Sequence, residues 1–412
     1  MALYSLKELA AGEQNPNYEK LVSRKEPLTV REGDIRTPYV RDRTRILHAQ
    51  AFRRLKHKTQ VFFNVGHDHV CTRIEHVSHV ESVSNIIASH LGLDTDLTRA
   101  IAMGHDLGHA PFGHQGERNL SKLSLEHLGE TFWHEKNGMR MVDKLELLEN
   151  RYRHYRNLDL TWAVRDGIIS HCGEVDENGL FPRDVSIEPE AFRFAGDFAP
   201  ATWEGCVVKI ADKIAYLGRD IEDAIDLGIL TSEELKHLDK LARPVGESAI
   251  NTSVITNNII KDICANSSPE RGITMSEEYC RLLNNIKEFN YTYIYHSKKL
   301  RPFCRYSELI TEELFSALAD CYRGADTLAE LRKRAVEDYP MLMGDFCDFL
   351  LKFVTLDVSE FDGGRDIMER YENEKIYGDL SDKRLYIQAI LDFLSGMTDR
   401  YAIKLYEEML SY

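Results

Sequence analysis

From about Thr44 onward the apolar residues recur at three-to-four spacing and strand-like alternation is almost absent, which predicts a mostly α-helical chain. In RIEHVSHVESVSNIIASHLGL, His76 shares a helical face with Val80, Val83 and Ile87, so its imidazole points inward with the apolar stripe. Asp94 or Thr95 caps a helix through His105, and Gly108, Pro111 and Gly113 end it. Further helices are expected near 136–149 and 159–171, followed by the turn-rich connection HCGEVDENGLFP and a long helix from about Trp203 to Leu227. Beyond Thr231, SEELKHLDKLA and DKRLYIQAILDFLSGMTDRYAIKLYEEML carry helical patterns to the end. The first forty residues, with Pro16, Pro27, Gly33 and Pro38, read as an irregular arm, and NVGHD at 64–68 as a loop. The expected organisation is an arm over 1–40, a core over 41–230, and a C-terminal helical region over 231–412 that packs on the core.

Composition narrows the class. A chain of 412 residues with 43% hydrophobic content buries a substantial core. The N-terminal MALYSLKELAAGEQNP carries Lys7, Glu8 and Glu13, and no run approaches a membrane span, so a cytoplasmic protein with no membrane partner is expected. Eight cysteines without a CxxC pair argue against a zinc knuckle or disulfide framework and for buried thiols. A net charge of −15 argues against general nucleic-acid affinity. Between Arg31 and Gln60, however, nine Lys or Arg face three acids, Glu32, Asp34 and Asp42. That surplus fits either a compact polyanion such as a nucleoside polyphosphate, or a solvated helix face with Arg41, Asp42 and Arg43 paired locally.

Candidate chemistry gathers in the same half. Ten of the sixteen histidines lie between His67 and His134, about four times the number an even distribution would place there, and neutral imidazole is a common metal ligand. In GHDLGHAPFGHQGE, His105 extends the Leu97 and Ile101 stripe, and Asp106 beside it gives two ligands at one helix terminus. A fourth ligand is available from WEGCVVKIADKIAYLGRDIEDAIDLG, whose apolar stripe is Val207, Ile210, Ile214, Leu217 and Ile221. Another face of that helix carries Asp212, Tyr216 and Asp220, four apart, with Lys209 and Lys213 alongside. An ordinary polar outer face is the alternative, but acids, a phenol and ammonium groups together suit a metal, a sugar and phosphates.

The order H…HD…D, met by His76, His105, Asp106 and Asp212, resembles that of the HD-domain metal-dependent phosphohydrolases. RDRTRILHAQAFRRLKHKTQVF, TRIEH, HDLGHAPFGHQGE, FWHEKNGMR and VVKIADKIAYLGRDIED are similar, in that order, to the signatures of the deoxyguanosinetriphosphate triphosphohydrolase family, over about residues 36–228. The resemblance implies an all-α fold, an HD-domain helical core with additional C-terminal helices. It also implies cleavage between the α-phosphorus and the 5′ oxygen of a deoxynucleoside triphosphate (dNTP), giving a deoxynucleoside and tripolyphosphate. A divalent ion (Mn, Mg, Fe, Co or Ni) held by those four ligands would polarise the α-phosphoryl group and acidify water. By the same resemblance, His114 and Glu117 activate water or protonate the departing oxygen, with the carboxylate orienting the imidazole, while His109 and His134 line the same site. Arg73 and Lys213 match phosphate-contacting positions; Gln60, Tyr216 and Asp220 match positions near the sugar; Lys287 and Tyr295 match a terminal-phosphate contact and the sugar face. Ala110 stands where the family commonly has Pro, and Gly218–Arg219 interrupts a helix that relatives keep richer in helix formers.

Partners implied are the dNTP substrate, an allosteric dNTP, a homo-oligomer such as a hexamer, and nucleic acid as a secondary ligand. Two other readings fit the HD scaffold: a deoxynucleoside monophosphatase or phosphodiesterase, and a non-catalytic sensor of dNTPs or nucleic acid. The basic stretch before Gln60 favours a triphosphate over a monophosphate, and a pure binder has no use for a proton-transfer pair.

Overall fold

A computed structural model of the chain describes residues 4–28, 33–63, 69–173, 178–242 and 252–411. The architecture is all-α, and among the described residues the one sheet is a two-stranded antiparallel pair, Leu147–Glu149 with Tyr155–Asn157. The chain divides into two units that alternate along the sequence. The first comprises Met1–Leu47, Gln60–Asp106 and Asp159–Pro302, and the second His48–Thr59, Leu107–Leu158 and Phe303–Tyr412. Among the described residues no helix is long and apolar enough to cross a membrane, and all eight cysteines are free thiols.

In the first unit, the helix Arg73–Leu91 packs against both Thr95–Gly104 and Trp203–Asp226, and Thr95–Gly104 also packs against Trp162–Ser170. Local chemistry sets the ends. A reciprocal Thr72–Glu75 capping box opens Arg73–Leu91, Gly92 in the left-handed region (φ 83°) closes it, and the Asp94 side chain caps Thr95–Gly104 through the Leu97 amide at 2.9 Å. The predicted stripes are the buried ones: Val80, Val83 and Ile87; Leu97 and Ile101; Val207, Ile210, Ile214, Leu217 and Ile221. Trp162–Ser170 is buried on every side. A Cβ at Gly167 would lie 2.5 Å from Ile101, so glycine is what allows this helix its close approach.

In the second unit, Gly113–Leu128 packs on Lys383–Gly396, and Pro340–Leu351 packs on Thr327–Glu337, Lys383–Gly396 and Asp399–Leu410. Phe346, Phe349, Phe353, Tyr377 and Phe393 pack against one another as tilted rings in this core. Arg140 grips the buried Asp392 carboxylate, which also accepts from the Tyr377 hydroxyl at 2.7 Å.

Several elements depart from the sequence pattern. The helix expected over 136–149 is His134–Arg140 followed by a wider turn, Met141–Leu145, after which the chain enters the strand Leu147–Glu149. Glu146 is already extended there, and its carboxylate is held by Arg54 at 2.6 Å. The helix expected over 159–171 starts at Trp162, because Asp159 sits at positive φ (44°). Gly113–Leu128 is a helix the pattern did not announce. The C-terminal run breaks at Met397–Thr398 into two helices, the second capped by Thr398. The arm contains the short helices Lys7–Leu9 and Tyr18–Leu21. The loop expected at 64–68, His67, Arg31 and Glu32 lie outside the described residues.

Several residues of the basic stretch are engaged in structural pairs. Asp34 pairs with Arg36 at 2.8 Å, and Arg43 reaches Glu81 at 3.4 Å. Asp42 is buried and takes Arg24 and the Thr161 amide, not Arg41 or Arg43 as the local reading expected. Lys58, buried in the second unit, donates to the carbonyls of His109 and Ser395.

Glu204, in the first turn of Trp203–Asp226, is fully buried and accepts from the amides of Ala11 and Asp94, each at 2.9 Å. Burial pushes its carboxyl up to about 7, against the opposing pull of those hydrogen bonds. A folded-state pKa above the unfolded value means that the folded chain keeps the proton longer, so stability falls as pH rises from about 4.5 to about 7. Glu204→Gln is expected to be more stable relative to the parent at pH 8 than at pH 5, by on the order of 2–3 kcal/mol. Urea unfolding at the two pH values measures this; an equal difference at both would refute it.

Candidate active site

The first unit brings His76, His105, Asp106 and Asp212 together. His76 projects from the first turn of Arg73–Leu91, His105 and Asp106 follow the end of Thr95–Gly104, and Asp212 lies midway along Trp203–Asp226. His76 Nε2 is 2.9 Å from Asp212 Oδ1 and 3.9 Å from Asp106 Oδ2; His105 Nε2 is 3.3 Å from Asp106 Oδ1 and 3.8 Å from Asp212 Oδ1. Burial alone would raise the Asp212 carboxyl, but the hydrogen bond and charge of His76, with His105 and His171 behind it, hold it well below the usual range. Burial alone would lower the His76 imidazole, yet Asp212 and Asp106 carry it above its ordinary value.

This donor set fits a divalent ion. The Nδ1–H of His105 donates to the Ala102 carbonyl at 2.7 Å, which in the neutral tautomer leaves the lone pair on Nε2. That Nε2 is buried, has no hydrogen-bond partner among the described residues, and faces two carboxylate oxygens. Acceptors turned on acceptors in a buried site call for a cation between them. Two imidazoles and two carboxylates suit Mn, Fe, Co, Ni or Mg.

Beside this cluster, still within the first unit, a cavity of about 420 Å³ is lined by His76, Gln60, Asp220, Arg219 and Asn257, among others. Gln60 Oε1 and Asp220 Oδ1 are buried acceptors without a hydrogen-bond partner among the described residues. Asp220 Oδ2 accepts from the Tyr295 hydroxyl. Burial raises the Asp220 carboxyl to about 7, and burial together with the Asp220 charge pushes the Tyr295 phenol well above its usual value. Gly218 does not interrupt Trp203–Asp226, so Asp220 stays in register with Asp212 two turns earlier. Arg73 is buried and pairs with Asp106 Oδ2 at 3.0 Å. Lys213 and Tyr216 are half-buried on the Asp212 helix and Lys287 is half-buried in Glu277–Phe289; like Arg73 and Tyr295, none of the three is among the residues lining the cavity.

The second unit assembles His109, His114, Glu117 and His134. The rings of His109 and His134 stack at 3.8 Å, and His114 meets His109 edge-on at 5.9 Å. Glu117 takes His134 as its partner, at 3.0 Å to Nδ1 and 2.9 Å to the backbone amide, whereas His114 is 3.8 Å away and exposed. Burial alone would raise the Glu117 carboxyl, but the charge of His134 and the donors of His114 and His134, with His109 behind them, hold it well below the usual range. Asp399 accepts from the Phe112 amide at 2.8 Å, fixing the left-handed turn (φ 65°) from which the Gly113–Leu128 helix starts. A Cβ on Gly108 would lie 2.0 Å from the His134 carbonyl oxygen, so only glycine lets this loop approach the helix His134–Arg140.

His171 was not among the sequence candidates. It is buried just past Trp162–Ser170, and its donor atom lies within 4.8 Å of those of His105 and Asp106. The signal that could have found it is an imidazole directly after an apolar helix, the same placement as His105.

Known proteins resemble the chain over most of its length. The family described as HD domain matches residues 73–217. A relative from Caldanaerobacter subterraneus subsp. tengcongensis is 33% identical over 377 residues, covering 91% of this chain and 86% of the relative. One from Desulfatibacillum aliphaticivorans is 35% identical over 306 residues, 74% of this chain and 78% of the relative, and one from Rickettsia bellii is 30% identical over 388 residues, 91% and 92%. All three carry the name deoxyguanosinetriphosphate triphosphohydrolase-like protein.

Proposed function

Since the chain belongs to the family of deoxyguanosinetriphosphate triphosphohydrolase-like proteins, we propose that it hydrolyses deoxynucleoside triphosphates to deoxynucleoside and inorganic tripolyphosphate, with a divalent ion held by His76, His105, Asp106 and Asp212. The observation that carries this reading is the cavity that His76 of the metal-type cluster lines together with Gln60 and Asp220, whose buried Oε1 and Oδ1 have no hydrogen-bond partner among the described residues. Such acceptors suit the hydroxyl of a deoxyribose, since a buried acceptor left unpaired costs about 1–3 kcal/mol. The cation, when bound, supplies Lewis-acid polarisation of the α-phosphoryl group and an acidified water nucleophile.

The protein residues position and move protons. Asp220 and Tyr295 form a rigid pair at the sugar end, and Tyr216 stands on the same helix face as Asp212. Arg73 and Lys213 supply positive charge for the phosphates, and Lys287 is assigned to the terminal phosphate. Glu117 orients His134, so the proton donor to the departing 5′ oxygen is drawn from that pair and from His114 and His109. Solubility in the cytoplasm, a dNTP effector site, a homo-oligomer and an accessory nucleic-acid ligand belong to the same proposal.

The test is product identity. Each dNTP is incubated with the Mn2+-loaded chain and the phosphorus product resolved by 31P NMR. Tripolyphosphate is expected; orthophosphate or pyrophosphate as the first product, or binding without turnover, would refute the proposal.

A further inference from the structure

We infer that His171 is a further protein donor to the divalent ion in the substrate-free chain, joining from the Asp106 side at one of the two positions that substrate and water take up in the reaction; the inference rests on the metal-dependent reading above. None of the motifs that carry the family resemblance contains this residue. Its ring is buried and held as His105 is held: Nδ1–H donates to the Ile168 carbonyl at 2.7 Å, the i−3 bond that His105 makes with Ala102 at the same distance. In the neutral tautomer both imidazoles therefore carry their lone pair on Nε2. The two rings meet edge-on at 4.9 Å and 81°.

Two donor triads overlap in the first unit. One is His76, His105 and Asp212; the other is His105, Asp106 and His171, and within each the ligand atoms lie within 4.8 Å of one another. His105 belongs to both. The relative position of the two helix ends is fixed by packing, because Gly167 is pressed against Ile101 and Gly104 against Ile168, where an added Cβ would come within 2.5 and 2.8 Å. The helix bearing His171 thus has no slack along the one bearing His105. A packing role alone does not require this carbonyl-locked orientation, which fixes the tautomer as metal-binding histidines are usually fixed.

The experiment compares the parent with His171→Asn and His171→Gln. Asparagine keeps a donor near the Nδ1 position and has nothing at Nε2; glutamine can place an oxygen there. Titration with Mn2+ is expected to show a Kd weakened by about 10–100-fold in His171→Asn and by less in His171→Gln. Pulsed EPR on the Mn2+-loaded proteins is expected to count three coupled imidazoles in the parent and two in each variant. Unchanged affinity with two imidazoles in both parent and variants would overturn the assignment. Both readouts are of binding, so a chain that binds Mn2+ but hydrolyses no dNTP overturns the proposed function and not this inference.

Discussion

Asp212→Ala is expected to abolish measurable dNTP hydrolysis and to remove stoichiometric divalent-ion binding, while the chain remains folded. Asp212 is the proposed ligand from the helix Trp203–Asp226, and its carboxylate faces both His76 at 2.9 Å and His105 at 3.8 Å. Without it, two buried imidazoles face only Asp106, whose carboxylate is also shared with Arg73. Lewis-acid assistance is worth several kcal/mol, so its loss corresponds to a fall of at least about 10³-fold in kcat. Asp212→Asn, which keeps an acceptor for His76 but no charge, is expected to fall nearly as far. Mn2+ titration beside a single-turnover assay checks both; a variant that retains parental turnover and one bound ion per chain would remove Asp212 from the site.

The second large effect concerns proton transfer. Glu117→Gln is expected to lower kcat by about 10²–10³-fold with little change in Mn2+ affinity. Glutamine can still accept from the His134 amide and Nδ1, but it lacks the negative charge that favours the imidazolium form of His134. His134→Ala is expected to fall by a similar factor, and the double variant by little more than either single change, since the two residues act as a pair. Additive losses would mean that Glu117 works through His114 instead, from which it stands 3.8 Å away.

The gathering of the candidate metal ligands was legible in the sequence because helical periodicity orients side chains: the offsets that put His76 with Val80, Val83 and Ile87 are a local property, and so is the four-residue spacing of Asp212, Tyr216 and Asp220. Partner choice was not legible. Glu117 is three residues from His114 in sequence yet bonds His134, seventeen residues on, because the turn at Phe112 and the close approach at Gly108 are tertiary constraints. The helix Gly113–Leu128 was hidden by two glycines in its first turn, and the strand at Leu147 by apolar residues that continue a helical spacing into it. His171 escaped notice because the residues after it read as a turn. The alternation of the chain between two units depends on long-range contacts, which no window of sequence displays.

One consequence of Glu204 reaches beyond its own titration. The same carboxylate holds the Ala11 amide of the arm and starts the helix on which Asp212 lies, about 12 Å further along the axis. A shortened variant beginning after Ala11 would therefore leave a buried acid with one donor fewer at the root of the helix that carries Asp212. Design of tags, fusions and minimal versions should keep the segment around Ala11.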